Sequence, residues 1–204
     1  MAFISLLMFL PELCGQDTLV LFDGVSLDGW EETLFDGQGK VSVKDGSIIL
    51  NKGNDLTGVT WIRDYPISNY EINLQAMRLE GKDFFCALTF PVNASFCTLV
   101  IGGWGGSVVG LSNIDGYDAF NNFTGDTRNF SNNRWYKIRL RVTDKKIEAW
   151  LDGRDKIVDF TIGNYRLSLR WEVEPSIPLG IATWQTTGAI RDVQLILLTN
   201  EFIY

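Results

Sequence analysis

From Thr18 onward the chain is built of short runs in which an apolar residue recurs at every second position, and each run is closed by Gly, Asp or Asn. Period-two alternation turns one face of a strand to a core and the other to water, whereas a helix needs apolar residues three and four apart. No long amphipathic helix can be drawn on the sequence, so the expected fold class is all-β. In VSVKDGSIIL, residues 41–50, Val41 and Val43 stand across an Asp45-Gly46 turn from Ile48 and Leu50. Asp-Gly favours the positive φ values of a two-residue hairpin. Tyr70, Ile72, Leu74 and Ala76 alternate with Glu71, Asn73, Gln75 and Met77, which predicts one strand with one wet face. Tyr136, Ile138, Leu140 and Val142 then oppose Ile147, Ala149 and Leu151 across a turn at Asp144 to Lys146. The reverse face carries Lys137, Arg139, Arg141, Glu148 and Trp150 and reads as a solvated face with cross-strand ion pairs. Val193, Leu195 and Leu197 mark the closing strand.

At 204 residues with 46% hydrophobic content, the chain suits a single core, and one sandwich domain over residues 17–204 is expected. The opening MAFISLLMFL is too short to span a bilayer and resembles the apolar part of a secretory leader, although no Lys or Arg precedes it. Residues 1–16 are accordingly expected to be a signal peptide or its remnant, and the mature protein to be periplasmic or secreted, without a membrane span and monomeric. A net charge of −7 repels a phosphate backbone, so nucleic acid is not an expected partner. The complete absence of His removes imidazole acid–base chemistry and His-ligated metals. No cofactor is predicted, and a divalent metal held by oxygen ligands alone is the metal class left open.

Cys86 and Cys97 flank an apparent hairpin, FFCALTF and FCTLVI around PVNAS. If Phe90 pairs with Asn93 the two face each other and a disulfide follows in an oxidising compartment. A different loop leaves two reduced core cysteines.

LFDGVSLDGW (21–30), YEINLQA, RWYKIRLRV (134–142), IEAWLDG (147–153) and LGIATWQTTGAIRDVQL (179–195) occur in an order that resembles the 3-keto-disaccharide hydrolase domain family. The likeness runs from about Leu21 to Leu198. It implies a concanavalin-A-like jelly roll of two antiparallel sheets, usually exported from bacteria, and cleavage of sugars oxidised at C3, with carbohydrate as the partner. The central strands depart from the pattern. Many members carry an asparagine-rich strand and then an acidic one with a Glu and a Gln, where this chain reads CALTFPV and TLVIGGWGG.

Elimination from a 3-keto glycoside needs a base for the C2 proton and a donor or cation for the enolate oxygen. Direct hydrolysis needs two carboxyls about 5 to 9.5 Å apart. Glu172 and Glu174 would share a face on a strand, but Pro175 suggests a strand end, and a solvated acidic surface is the expected account. Residues 102–122 concentrate glycines, an aromatic and carboxylates, and form the candidate site. Asp115 and Asp118 are its candidate bases, and Trp104, Tyr117, Asn121 and Asn122 its candidate sugar contacts. Trp184 and Gln185 are candidate neighbours on the same face. Two strands turning at the glycines, with Trp104 and Trp184 in the core, is the competing reading. A hydrolase or lyase acting on 3-keto-disaccharides and a non-catalytic glycan-binding module both remain open at this stage.

Overall fold

The computed structural model describes residues 18–198. The expected leader over residues 1–16, and Cys14 within it, lie outside them. The strands are β1 (Thr18–Val20), β2 (Trp30–Glu32), β3 (Val41–Lys44), β4 (Ser47–Leu50), β5 (Leu56–Trp61), β6 (Tyr70–Glu80), β7 (Cys86–Val92) and β8 (Ser95–Gly103). They continue as β9 (Val108–Ser112), β10 (Asp126–Thr127), β11 (Trp135–Val142), β12 (Lys146–Leu151), β13 (Asp155–Thr161), β14 (Leu179–Trp184) and β15 (Thr187–Leu197). One 3₁₀ turn, Trp171–Ser176, precedes β14. The first sheet runs β13-β12-β11-β6-β15-β4-β3 with β1 also on β15, and the second runs β10-β9-β8-β7-β14-β5-β2. Neighbouring strands are antiparallel, as in β11 on β6 and β7 on β8. The protein is a jelly-roll sandwich, and no helix among the described residues is long and apolar enough to cross a membrane.

The alternation builds the core directly. Tyr70, Ile72, Leu74 and Ala76 from β6 and Tyr136, Ile138, Leu140 and Val142 from β11 meet Leu88, Phe90, Leu99 and Ile101 of the facing sheet in one buried cluster. Burying a large apolar side chain of this kind contributes about 1.5–3 kcal/mol relative to exposure. The β3–β4 hairpin has the expected register, Val43 opposite Ile48, with Asp45 at φ 50° and Gly46 at φ 73°. The wet face of β11 and β12 carries the expected ion pairs, Arg141 to Glu71 at 2.7 Å and Lys156 to Glu148 at 2.7 Å. Leu197 departs from the pattern and is exposed.

The LFDGVSLDGW stretch is scaffold. Asp23 Oδ1 accepts the N–H groups of Val25 and Ser26, at 2.7 and 2.8 Å, and so shapes the turn. Trp30 donates its indole N–H to the Leu21 carbonyl at 2.8 Å and packs edge-on against Trp61, ring centres 5.3 Å apart. A Cβ on Gly29 would lie 2.4 Å from the Trp61 ring, so only glycine fits there.

The disulfide does not form. β7 and β8 turn at Asn93 and Ala94, with Val92 opposite Ser95, which sets Cys97 against Phe90 and Cys86 against Ile101. The two cysteines are therefore offset by four residues, roughly 13 Å along the strand. Both are free and buried.

Candidate functional site

Two cross-strand rows on the outward face of the second sheet carry small side chains. In one, Gly58, Ala182, Ala87, Val100 and Gly110 pair in register across β5, β14, β7, β8 and β9; in the next, Gly180, Thr89, Thr98 and Ser112 do the same. The ends of these rows are covered. Phe35 lies over Gly58, Ser176 over Gly180, and Thr124 with Gly125 over Gly110. The centre stays open, and Ala87, Thr98, Val100 and Ser112 floor a groove of about 210 Å³.

Aromatic side chains form one wall of the groove. Trp104, in the turn between β8 and β9, is 36% exposed and stacks on Phe120 with ring centres 6.4 Å apart and planes 21° from parallel. Phe84 and Trp184 pack together at 6.3 Å and also line the groove. Asp83 fixes this wall: its Oδ1 accepts the Phe84 N–H at 2.8 Å and its Oδ2 the Gly105 N–H at 3.0 Å. Behind it the buried Arg78 of β6 donates to Asn132 Oδ1 and the Phe130 carbonyl, both at 2.7 Å. Its remaining terminal nitrogen lies 3.5 Å from the Gly106 carbonyl.

The opposite wall is the 3₁₀ turn. Arg170, just before it, reaches Glu172 Oε1 at 2.7 Å and Asp118 Oδ2 at 3.2 Å, and so ties the turn to the 118–122 loop. The adjacent Glu172 carboxylate raises the Arg170 pKa above its ordinary value, with Asp118 adding to the effect. Glu172 lines the groove, its side chain only 19% exposed. Its second oxygen, Oε2, is buried without a hydrogen-bond partner. A carboxylate with one oxygen held by a guanidinium and the other free is equipped to accept a proton or a hydroxyl hydrogen bond. Among the described residues no three His, Cys, Asp or Glu side chains are grouped so as to hold a metal ion.

A family model described as the 3-keto-alpha-glucoside-1,2-lyase-like domain matches residues 17–196. The chain belongs to that family. Its fold is similar to that of a Parabacteroides distasonis protein assigned as a glycosyl hydrolase, with 15% identity over 89% of this chain and 94% of that one and a TM-score of 0.56. It is also similar to the carbohydrate-binding module CBM66 of Bacillus subtilis, with 12% identity, coverage of 81% and 94%, and a TM-score of 0.51. The Crh5 transglycosylase in complex with NAG gives 12% identity, coverage of 90% and 84%, and a TM-score of 0.59. At these identities the likeness establishes the fold, and it spans enzymes and binding modules alike. Comparison with curated proteins gave no match.

Within this family member the residues expected from sequence divide. Trp104 and Trp184 both line the groove. Gln185 is exposed beyond Trp184 and donates to Asp55 Oδ1 at 3.2 Å. Tyr117 is 61% exposed and is not among the groove's lining residues. Asp115 also stands outside the groove, and its Oδ1 accepts the Arg166 N–H at 2.8 Å. Asp118 uses Oδ1 for the N–H groups of Phe120 and Asn121, both at 3.1 Å, and for the Asn121 side chain at 2.9 Å. It is not among the groove's lining residues and bears on it through Arg170 and through Phe120, which stacks on Trp104. Asn122 is consumed internally: its amide donates to the carbonyls of Leu111, Tyr117 and Asp118, and its oxygen accepts from Thr124. Residues 115–122 are thus a self-braced loop behind the groove.

Arg170 and Glu172 were not singled out as a pair by sequence reasoning. The spacing of Glu172 and Glu174 was visible, but both were expected on a solvated surface. The 3₁₀ turn separates them, turning Glu172 into the groove and leaving Glu174 exposed. The charge alternation of Arg170 and Glu172, two apart beside an aromatic and ahead of a proline, was the available signal.

Proposed function

We propose that the groove binds a sugar oxidised at C3 and that Glu172 removes its C2 proton, so that the glycosidic bond breaks by elimination. The observation that carries this reading is Glu172, a carboxylate with one oxygen buried and unpartnered, lining the same groove as Trp104, Phe84 and Trp184. The aromatic faces suit the C–H face of a sugar ring, and the small floor residues leave room for it. Proton transfer from C2 to Glu172 sends the C–H electron pair toward the C3 carbonyl. Arg170, beside the base, offsets the negative charge that gathers there. Re-formation of the carbonyl makes the C1=C2 bond and expels the C1 oxygen, which leaves as an alcohol after taking a proton. The products are an unsaturated ketone and the released sugar.

The supply of carboxylates favours elimination over two-carboxylate hydrolysis. The groove's other acid is Asp83, and both of its oxygens already accept backbone N–H groups. One free base suffices for elimination, whereas hydrolysis requires two working carboxyls. Export of the protein by a leader over residues 1–16 is part of the same proposal, since oxidised disaccharides would be met outside the cytoplasm.

A glycan-binding module is the second reading, favoured by the ion pair that holds Glu172 Oε1 and by the absence of a second free carboxylate in the groove. Incubation with a 3-keto-disaccharide, followed by ultraviolet absorbance of the conjugated ketone and by release of reducing sugar, separates the two. Elimination predicts both signals, and a Glu172→Gln protein that binds substrate while losing them. Saturable binding with neither signal from the wild type would establish the binding module instead.

A further inference from the structure

The outward face of the first sheet, away from the groove, carries three adjacent cross-strand rows. In the first, Arg141 pairs with Glu71 at 2.7 Å. In the third, Gln75 accepts from Arg191 at 3.1 Å and donates to Asp192 at 2.6 Å. The middle row differs. Arg139, Asn73 and Gln194 lie in register across β11, β6 and β15, and none of their side chains has a hydrogen-bond or ion-pair partner. Arg139 is held by Trp150, opposite it on β12, with the guanidinium carbon 3.8 Å from the ring centre. Its Nε is buried and unpartnered.

This row lies in a depression of about 300 Å³ that also takes in Lys137 and Asp192. A bulge in β15 accompanies it. Arg191 pairs with Gln75 and Gln194 with Asn73, so Asp192 and Val193 together stand opposite Leu74, with Asp192 at φ 54°. A bulge bends its strand and re-aims the side chains beside it, here next to the unpartnered row. The guanidinium is a planar fork of donors matched to a carboxylate, and its seat over the Trp150 ring holds it in place before any ligand arrives. Asn73 and Gln194 each supply a donor and an acceptor, the complement of ring hydroxyls. Asp192 accepts from Gln75 and has Arg191 3.6 Å away, so its one negative charge is offset from outside the row, and Arg139 and Lys137 leave the depression net positive and suited to an anionic group.

We propose that this row is a second carbohydrate-binding site, on the face opposite the groove, for a sugar that carries a carboxylate, such as a uronic acid unit of a polysaccharide. The guanidinium of Arg139 takes the carboxylate, and the amides of Asn73 and Gln194 take neighbouring hydroxyls. A neutral sugar leaves the guanidinium unpaired.

Titration calorimetry of the folded protein with trigalacturonate, and with its fully methyl-esterified counterpart as the neutral control, tests this. The acid is expected to bind, more weakly as salt rises, and the ester not to bind. Arg139→Gln should weaken binding at least tenfold and Asn73→Ala several-fold, with the circular dichroism of both unchanged, while Trp104→Ala in the groove leaves the affinity as it was. The proposal is overturned if trigalacturonate fails to bind, if the ester binds equally, or if both variants of the row bind like the wild type. Loss of binding in Trp104→Ala alone would locate the acid in the groove and also overturn it.

Discussion

Arg170 grips one oxygen of Glu172 at 2.7 Å while the other oxygen of the same carboxylate is buried with no partner. The contact orients the acid by its occupied side. If it positions the base, Arg170→Ala should lower turnover of a 3-keto-disaccharide by about 10²-fold, the scale of loss when a reacting group drifts by about 1 Å. Arg170→Lys should restore part of that loss, since it keeps the charge without the fork. Single-turnover kinetics at saturating substrate provides the measurement, and equal rates in all three proteins would remove the positioning role.

Trp104 is exposed enough for truncation to be tolerated, and its contact with Phe120 is a surface stack. Trp104→Ala should therefore weaken sugar binding tenfold or more while the thermal midpoint stays within a few degrees of wild type. Glu172→Gln should do the reverse on catalysis, cutting turnover by about 10²- to 10⁴-fold with little change in affinity. Unfolding of Trp104→Ala would mean that this side chain holds the scaffold together.

Asp118 closes its loop through the N–H groups of Phe120 and Asn121 and braces Arg170. Asp118→Ala is expected to cost about 1–2 kcal/mol of stability and to reduce turnover only as far as Arg170 is loosened. Asp115→Asn should leave turnover unchanged, because its carboxylate bonds the Arg166 backbone away from the groove. Urea denaturation beside a turnover assay distinguishes these outcomes from a direct catalytic role, for which Asp115→Asn would abolish activity.

Burial pushes the thiols of Cys86 and Cys97 up to about 12, so neither is a thiolate at neutral pH. In the native protein a thiol reagent should leave both unmodified, and in denaturant both should react. A linked pair on non-reducing peptide mapping would contradict the register of β7 and β8.

Arg128 bonds Asp155 Oδ2 at 2.7 Å and Asp126 Oδ2 at 2.5 Å, and the hydrogen bonds hold both carboxyls below the usual carboxylate range. Because the folded pKa values are depressed, their stabilisation is complete above the unfolded value of about 3.9 and is lost as pH falls through the lower folded values. Arg128→Gln should accordingly lose less stability than wild type between about pH 4 and pH 2, by a margin that shrinks in high salt. Paired urea titrations at the two pH values provide the check.

The fold was legible wherever local chemistry and global pattern agreed. Asp45-Gly46 fixed the β3–β4 register because two positive φ values admit few residues, and the alternation from Tyr70 to Ala76 named its own buried face. The turn between β7 and β8 was not legible in the same way. PVNAS admits several two-residue loops, each shift slides Cys86 past Cys97, and only packing of the whole sheet chooses among them. Of the groove's aromatics Trp104 was legible, because its neighbours Gly103 and Gly105 give it little to pack against along its own strand, whereas Trp184, between Thr183 and Gln185, carried no such signal. The groove's unpartnered carboxylate was hidden in the 3₁₀ turn. Pro175 marked a break there, but which of Glu172 and Glu174 turned inward depended on contacts with β14 and with Asp118, more than fifty residues upstream.

Strands β7, β8, β9 and β14 carry two messages at alternate positions. Leu88, Leu99, Leu111 and Ile181 hold the sandwich together, while Ala87, Thr98, Val100 and Ser112, on the opposite face, set the depth of the groove. A methyl group added at Ala87 would narrow the groove from its floor, whereas one added at Ala182 would crowd the buried cluster of Phe35, Leu56 and Val173. The width of the groove is thus written in side chains that the sandwich's own interior does not use, so the one can change while the other is kept.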